Sequence, residues 1–193
     1  MSLKDLILKN RSYRRFYHDQ KISKETLVEL VDLARHSPSA KNQQPLKYYL
    51  VYDEEDCNKV FPNLVWAAFL TDWQGPVEEE RPAAYIIMMF DDNLNFSRYD
   101  DAGIAAQSIL LGAVEKGLGG CIVAAVQKEK LSEILQIPDH LEIFYVIALG
   151  KPKEEISIDY IDSDKNTKYW RDEKQVHHVP KRKLEDIIIN LKS

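Results

Sequence analysis

Arginine side chains cluster near the start of the chain, in the stretch NRSYRRF at residues 10–16. Three guanidinium groups and a serine hydroxyl this close together could bind a phosphate through charge-assisted, bidentate hydrogen bonds. A second basic stretch, PKRK at residues 180–183, lies near the other end. Both have a plainer interpretation, in which arginines offset the dipole of a preceding helix and lysines are simply solvated. Two basic clusters in a chain of net charge −5 suggest a small anionic ligand without requiring one.

The stretch SPSAKNQQP, residues 37–45, carries many polar side chains for a connection between a helix and a strand. Such a connection needs about four to six residues and one helix breaker. This one holds hydroxyl and amide groups between two prolines, Pro38 and Pro45. The prolines lower the entropy cost of holding the segment in one conformation. The composition therefore raises the question of what these hydrogen-bonding groups bind.

Composition argues against several classes of protein and site. The acidic balance disfavours general nucleic-acid binding, no apolar run is long enough to span a membrane, and the N-terminus lacks the features of a signal peptide. Cys57 and Cys121 are expected to be free thiols in a reducing, cytoplasmic compartment, with a disulfide as the alternative. The adjacent pair His177 and His178 would point to opposite faces of a strand, so no metal site is expected.

Local patterns predict regular elements around these stretches. Ser2 and Ser23 are expected to cap two helices, and Pro38 to end the second. Residues 83–90 have no polar alternation, which is typical of a strand buried on both faces. The stretch GLGG lacks the full dinucleotide-binding fingerprint, because its strand follows it rather than precedes it. Further strands are predicted at residues 47–52, 121–126 and 142–150, helices at 54–63 and 128–135, and a loop at 153–166.

The most informative element is the helix predicted over residues 101–116, whose apolar stretch contains only Gln107 and Ser108 as polar groups. A helix that is hydrophobic on every side must be covered on every side. It is therefore either the central helix of the domain or part of a contact with a second subunit, and Gly117 is expected to end it in the left-handed conformation. Strands alternate with helices and no linker appears, so the chain is predicted to form one α+β domain over residues 1–193.

The order of four stretches along the chain resembles the nitroreductase family of FMN-dependent oxidoreductases. They are RSYRRF, SPSAKNQQP, DAGIAAQSILLGAVEKGLGGC and PKRKLEDI, and the resemblance runs from Lys4 to about Ile188. The RS-x-R spacing of Arg11, Ser12 and Arg14 is one specific part. The most specific part is the PS-x-x-N-x-QP spacing of Pro38, Ser39, Asn42, Gln44 and Pro45.

The resemblance implies a nitroreductase-like fold, with a central, mostly antiparallel sheet covered by helices, in an intertwined homodimer with two FMN sites at the subunit interface. In the family, the RS-x-R segment and a C-terminal basic residue hold the phosphate side of FMN, and the PS-x-x-N-x-QP loop of the other subunit lies against the isoalloxazine ring. The flavin N5 faces a backbone N–H that falls here at Ala124 or Ala125. The implied cofactor residues are Arg11, Ser12, Arg14, Pro38, Ser39, Ala40, Asn42, Gln44, Ala124, Ala125, Lys181 and Arg182.

The family implies that hydride enters from NADH or NADPH through flavin N5 and that electrons leave to nitroaromatic, quinone or related small acceptors. No protein catalytic residue is named, because the flavin carries the redox chemistry. Two rival functions stay open: an FMN-binding protein without turnover, and a flavin-dependent dehalogenase or dehydrogenase of the same fold. Four aromatic side chains are candidates to line the open ring face, with core packing as the alternative: Trp66, Phe69, Trp73 and Tyr99.

The chain departs from the family pattern at three places. Alanines stand at 124 and 125, where many relatives have glycine or an acidic residue, and Asn10 stands where many have arginine. The connection between Phe90 and Asp100 is too short for the helices that cover the active site in larger members. The substrates of those larger members therefore do not carry over to this chain.

The C-terminal segment, residues 180–193, combines basic residues with three consecutive isoleucines, Ile187 to Ile189. A segment this apolar is not expected to be a free tail. In the family such a segment often crosses to the partner and adds a strand to its sheet, and the same exchange is predicted here. The alternative is an amphipathic helix packed on its own subunit.

Overall fold

The computed structural model describes residues 1–94 and 99–191, and the chain forms two compact units. The larger unit comprises Met1–Trp66 and Gly75–Lys153, and the smaller unit comprises Ala67–Gln74 and Glu154–Ser193. The single domain expected over residues 1–193 stays a prediction. None of the helices in the described residues has both the length and the apolar character to cross a bilayer.

The larger unit alternates helices and strands close to the predicted positions. The predicted helix caps are confirmed, because the Ser2 hydroxyl accepts from the Asp5 N–H and the Ser23 hydroxyl accepts from the Thr26 N–H. The elements in chain order are α1 (Leu3–Lys9), β1 (Phe16–Tyr17), α2 (Lys24–Arg35), β2 (Leu46–Val51), α3 (Glu54–Val60), β3 (Ala84–Asp91), α4 (Tyr99–Glu115), β4 (Gly119–Val123), α5 (Lys128–Leu135) and β5 (Leu141–Pro152).

The strands of the larger unit form one antiparallel sheet, as the resemblance to the family implies. The order is β1-β5-β3-β2, and β4 also pairs with β5. The central strand β3 is buried from Ala84 to Phe90, which confirms the strand covered on both faces. Ile86, for example, lies between Leu50 of β2 and Ile147 of β5. Burial of this apolar strand gives the unit a continuous core.

Helix α4 packs on this core with part of its surface only. It begins at Tyr99, two residues before the predicted start, and its fully buried side chains include Ala102, Ala106, Ile109 and Ala113. Gly103 and Ile104 are exposed in the single chain, Ile104 by 43%. The larger unit alone therefore does not cover this apolar helix completely.

Glycine allows α2 and α4 to approach closely. A Cβ atom on Gly112 of α4 would lie 2.3 Å from Cδ1 of Leu33 and 3.0 Å from Cδ2 of Leu30, both on α2. At the end of α4, Gly117 has a φ of 72°, the left-handed conformation predicted for it.

The smaller unit contains a sheet of its own. Its strands are β6 (Ile156–Ile161), β7 (Trp170–Arg171) and β8 (His177–Arg182), in the order β6-β8-β7. β6 and β8 are parallel, and β7 and β8 are antiparallel. The loop predicted over residues 153–166 is therefore wrong, because β6 occupies part of it and pairs along its whole length with β8.

The strand predicted within the C-terminal segment is also wrong over the described residues 184–191. They form the short helix α6 (Leu184–Ile187) and a 3-10 turn (Ile189–Leu191). The backbone satisfies its groups locally, as in the bond from the Ile188 N–H to the Leu184 carbonyl at 3.0 Å. A strand needs a neighbouring strand for its hydrogen bonds, and β-branched residues alone do not supply one. The exchange of residues 180–193 with a partner subunit stays a prediction.

Candidate functional site

The RS-x-R segment lies against the beginning of β4. Ser12 forms a parallel bridge with Gly120, and the Tyr13 N–H donates to the Gly120 carbonyl at 3.0 Å. Arg11 donates through Nη2 to the Ile7 carbonyl at 2.9 Å, and Arg14 donates through Nη1 to the Ser12 carbonyl at 3.2 Å. Ser12, between the two arginines in sequence, is exposed. The segment thus presents two cations and a hydroxyl at one end of a strand.

Two predicted cofactor residues lie beyond the other end of the same strand. Ala124 and Ala125 directly follow β4 and are exposed, and the Ala125 carbonyl accepts from the Val65 N–H at 2.9 Å. Ala124 comes four positions after Gly120, which corresponds to about 13 Å along an extended strand. The RS-x-R segment and the alanine pair therefore lie near opposite ends of β4.

Arg15, the third guanidinium of the arginine-rich stretch, has a different partner. It donates through Nη2 to Oε1 of the buried Glu80 at 2.8 Å, and Lys153 Nζ lies 3.0 Å from the same oxygen. The hydrogen bond from Arg15 is the main reason that the pKa of Glu80 is lowered to about 2, and Lys153 adds to the effect. Arg15 is therefore part of a structural ion pair rather than of an anion site.

The SPSAKNQQP stretch folds into a tight turn over the start of α4. The Ser39 hydroxyl donates to Asp101 Oδ2 at 2.7 Å, and the Ala40 N–H donates to Asp101 Oδ1 at 3.0 Å. Pro45 is buried, whereas Asn42 and Gln44 are exposed, and Pro38 lines a cavity of about 290 Å³ behind the turn. The amide side chains are therefore available to a ligand at the surface of the larger unit.

No motif in the sequence indicates Asp101 as a site residue, although its carboxylate holds this turn. It is 4% exposed, and its partners Ser39 and Ala40 lie about sixty positions earlier in the chain. One signal was present: an aspartate in the first turn of a helix that is otherwise apolar on every side needs buried donors.

The three basic residues at positions 181–183, at the end of β8, differ in their side-chain contacts. Arg182 donates through Nη1 to the Ser163 carbonyl at 2.6 Å, and Lys183 Nζ lies 2.6 Å from Asp162 Oδ1. Lys181 is exposed on β8 and has no recorded side-chain contact among the described residues. Of the three basic residues at positions 181–183, Lys181 is thus the one most available to an anionic ligand.

The four aromatic candidates have different surroundings, and two of them belong to the larger unit. Trp66, in the larger unit, is 7% exposed and packs on Phe61 at 5.8 Å between ring centroids, so it is a core residue and not part of an open ring face. Tyr99 is 66% exposed and stacks on Phe144 at 4.8 Å.

The other two aromatic candidates belong to the smaller unit. Phe69 is exposed and contacts Tyr169 at 5.1 Å between ring centroids. Trp73 is half-buried beneath the guanidinium of Arg171, at 4.3 Å. Phe69 and Tyr99 therefore stay candidates for a ligand-facing role, and Trp73 has a structural partner.

Comparison with known proteins identifies the family of the chain. The model of the nitroreductase family matches residues 7–151. The chain is 30% identical over 158 residues to an Archaeoglobus fulgidus protein named "Putative NADH dehydrogenase/NAD(P)H nitroreductase", covering 78% of this chain and 85% of that one.

Solved structures share the fold. An "FMN-dependent Nitroreductase" from Clostridium difficile R20291 superposes with a TM-score of 0.64 at 24% identity, covering 79% of this chain and 89% of that one. A "putative nitroreductase in complex with FMN" from Exiguobacterium sibiricum superposes with a TM-score of 0.66 at 19% identity, covering 80% of this chain and 90% of that one. With the family model spanning most of the larger unit, the chain belongs to the nitroreductase family.

Proposed function

We propose that this protein is a homodimeric, FMN-dependent oxidoreductase that takes hydride from NADH or NADPH and passes electrons to nitroaromatic, quinone or related small acceptors. Membership of the nitroreductase family, whose members are flavin-dependent oxidoreductases, supports the class of reaction. The observation that carries the proposal for this chain is the spacing along β4. Arg11, Ser12 and Arg14 lie at its beginning and the alanine pair lies just beyond its end.

This spacing fits FMN, a molecule with a phosphate at one end and a planar ring at the other. The guanidinium groups of Arg11 and Arg14 would neutralise the phosphate, with the Ser12 hydroxyl as a further donor. One nitrogen, Nε of Arg11, is buried without a hydrogen-bond partner among the described residues, which is what a missing acceptor would leave. A backbone N–H of Ala124 or Ala125 would donate to N5 of the ring.

Bound FMN would supply the hydride-transfer chemistry, and the chain's own residues would bind and orient it. Asn42 and Gln44 from the partner's turn would hydrogen-bond the ring edge, with Pro38 and Ala40 shaping the turn. Lys181 would add a third cation to the phosphate in preference to Arg182, whose guanidinium is engaged by the Ser163 carbonyl.

Exposed apolar side chains support the homodimer. Helix α1 has no buried residue in the single chain, and α4 leaves Gly103 and Ile104 uncovered. The exposed apolar side chains of these helices include Leu3, Ile7, Leu8 and Ile104. An interface over them would bury the face of α4 that the larger unit leaves open, and obligate dimers of this kind bury more than about 2,000 Å² in total. Sedimentation at low micromolar concentration tests this: a dimer is expected, and an FMN-bound monomer would contradict it.

The cofactor assignment is tested by titrating the apoprotein with FMN and following flavin fluorescence. Arg11→Ala and Arg14→Ala each remove a charge-assisted contact and are expected to raise the dissociation constant roughly tenfold or more. Lys130→Ala, which removes an exposed charge from α5, is the control and should leave it unchanged. Wild-type affinity in both arginine variants would overturn the phosphate assignment.

The oxidoreductase assignment is tested by anaerobic titration of the yellow holoprotein with NADH and with NADPH. Rapid bleaching by either nucleotide is expected of a reductase, and the faster one identifies the donor. If neither bleaches the flavin, the protein either binds FMN without turnover or is a dehalogenase or dehydrogenase with a different reductant.

A further inference from the structure

The turn that carries Asn42 and Gln44 has a backbone conformation that needs support. Lys41, Asn42 and Gln44 have φ values of 52°, 55° and 50°. Residues other than glycine adopt this left-handed conformation rarely, and only where surrounding contacts impose it. In this chain a buried carboxylate, that of Asp101, accepts hydrogen bonds from the two residues that precede Lys41.

Asp101 forms hydrogen bonds to two successive residues of the turn with its two oxygens. Oδ2 accepts from the Ser39 hydroxyl at 2.7 Å, and Oδ1 accepts from the Ala40 N–H at 3.0 Å. Hydrogen bonds to an ionised acceptor are about twice as strong as neutral ones. Since Asp101 belongs to α4, which packs in the core, it ties the turn to the hydrophobic core of the larger unit.

A chain of hydrogen bonds continues from Asp101 to both amide side chains. The Ser39 hydroxyl oxygen accepts from the Gln44 N–H at 3.0 Å. Nε2 of Gln44 then donates to the backbone carbonyl of Asn42 at 3.4 Å and to its Oδ1 at 3.2 Å. A carbonyl can only accept, so the backbone oxygen of Asn42 fixes which end of the Gln44 amide faces it.

This orientation divides the roles of the two amides. Gln44 uses its NH₂ group within the turn, and its carbonyl oxygen has no partner among the residues that the structure describes. Asn42 uses its carbonyl oxygen, and within the same residues its NH₂ group has no acceptor. The edge of an isoalloxazine ring has an N–H between two carbonyls, so one acceptor and one donor match neighbouring groups on it.

We propose that Asp101 is a positioning residue for the flavin, acting through Ser39 to fix Gln44 as the acceptor and Asn42 as the donor toward the ring edge. The identity of the ligand in this proposal rests on the FMN function proposed above. The chain of hydrogen bonds does not, because it is present in the protein without a ligand. The two parts can therefore be tested separately.

Two variants interrupt the chain of bonds at different points. Asp101→Asn keeps the size of the side chain but places an NH₂ group against one of two donors. Ser39→Ala keeps the buried carboxylate and removes the hydroxyl that links it to Gln44. The matched control is Ser108→Ala, which also removes a hydroxyl from a contact between α4 and the loop that follows α2, the 2.7 Å bond to Ser37, without touching residues 39–44.

The first measurement is amide hydrogen exchange by NMR on the apoprotein. In Asp101→Asn the Ala40 and Gln44 amides are expected to exchange roughly tenfold faster or more, and in Ser39→Ala the Gln44 amide alone. Ser108→Ala should leave both unchanged. Wild-type exchange of these amides in Asp101→Asn would overturn the proposal. If Asp101→Asn does not fold, Ser39→Ala provides the test, and a Gln44 amide that exchanges at the wild-type rate in that variant would overturn the proposal.

The second measurement is the flavin itself, reconstituted into each variant. Both are expected to weaken FMN binding roughly tenfold and to shift the reduction potential and the visible absorption bands, because ring-edge hydrogen bonds change. Loss of affinity with an unchanged potential and spectrum would show a purely structural role and overturn the positioning role. If the wild-type apoprotein binds no FMN, the proposed function fails, while the exchange experiment still tests the hydrogen-bond chain.

Discussion

The central sheet of the larger unit buries a continuous apolar strand, whereas the sheet of the smaller unit buries charged side chains. Every residue of β3 from Ala84 to Phe90 is buried. In the described part of the smaller unit, the only buried residues are Ala67, Glu154 and His177. Glu154 accepts from Arg171 Nε at 3.2 Å, and His177 Nδ1 lies 4.0 Å from the same carboxylate oxygen.

A second polar cluster links all three strands of the smaller unit. The His178 ring on β8 contacts Asp159 of β6 through Nδ1 at 2.8 Å and Asp172, after β7, through Nε2 at 3.5 Å. Its ring stacks on Trp170 of β7 at 4.2 Å. Apolar burial depends little on pH, whereas ion pairs depend on the protonation of their members. The two units should therefore respond differently to substitution, pH and salt.

The largest effect is expected from Glu154→Gln, which leaves the Arg171 charge buried without its partner. Breaking a buried pair from one side costs about 3–5 kcal/mol. Local opening of β6 and β8, measured by hydrogen exchange, should become correspondingly easier. The double variant Glu154→Leu/Arg171→Met removes both charges and should recover much of the loss. If the single and double variants are equally unstable, the attraction between Glu154 and Arg171 is not what stabilises the smaller unit.

A large effect of a different kind is expected from Ile86→Ala in the larger unit. Ile86 is fully buried between β2 and β5, and truncating such a side chain costs about 2–5 kcal/mol. Urea unfolding should show the same loss at pH 6 and pH 8.5 and at low and high salt. Val28→Ala, at an exposed position on α2, is the control. A strong pH dependence of the Ile86→Ala effect would break the distinction between the two units.

A smaller and pH-dependent effect is expected at His178. The hydrogen bond to Asp159 is the main cause that raises the pKa of His178 above its ordinary value of 6.5, and Asp172 adds to it. A raised pKa means that the protonated imidazole stabilises the folded unit below pH 6.5 and that this contribution is lost as pH rises through the raised pKa. The protection of β6 and β8 amides against hydrogen exchange should therefore decrease as the pH rises through the raised pKa of His178.

Two variants isolate this titration. His178→Gln should remove the pH dependence of amide protection, whereas His140→Gln, at an exposed position, should retain it. Protection that stays constant from pH 5.5 to pH 9 in the wild type would show that His178 does not titrate against its two carboxylates in this way.

The contrast between the units also explains which parts of the fold the sequence predicts. β3 and α4 are recognisable because seven consecutive buried residues and an apolar helix leave few alternatives. β6 was predicted as loop because acidic residues surround it, although Ile156, Ile158 and Tyr160 alternate as in a strand. Its pairing with β8 depends on polar contacts such as Asp159 to His178, which hydrophobic periodicity does not detect.

The candidate site also contains residues that the sequence identifies and a residue that it does not. The RS-x-R and PS-x-x-N-x-QP residues are identifiable because their spacing is local, within a few positions of one another. Asp101 lies 62 positions from Ser39, so its contact exists only in the folded chain. The three isoleucines after Asp186 favoured a strand on β-propensity, but a strand also depends on a partner that residue types do not specify. The sequence alone therefore does not predict long-range polar contacts or the partners of strands.

The smallest effect is expected from Lys183→Ala, which breaks an ion pair in the same unit at the surface. Lys183 Nζ lies 2.6 Å from Asp162 Oδ1, and the two side chains are 44% and 64% exposed. Water and salt screen such a pair, and the entropy cost of ordering the long Lys183 side chain opposes it, so its net contribution is small. Hydrogen exchange of β6 and β8 should match the wild type within error, even at low salt. Lys183→Ala and Glu154→Gln each remove one charge from an ion pair of the smaller unit, and they differ in burial. If Lys183→Ala destabilises the sheet as much as Glu154→Gln, charge itself rather than its burial holds the smaller unit together.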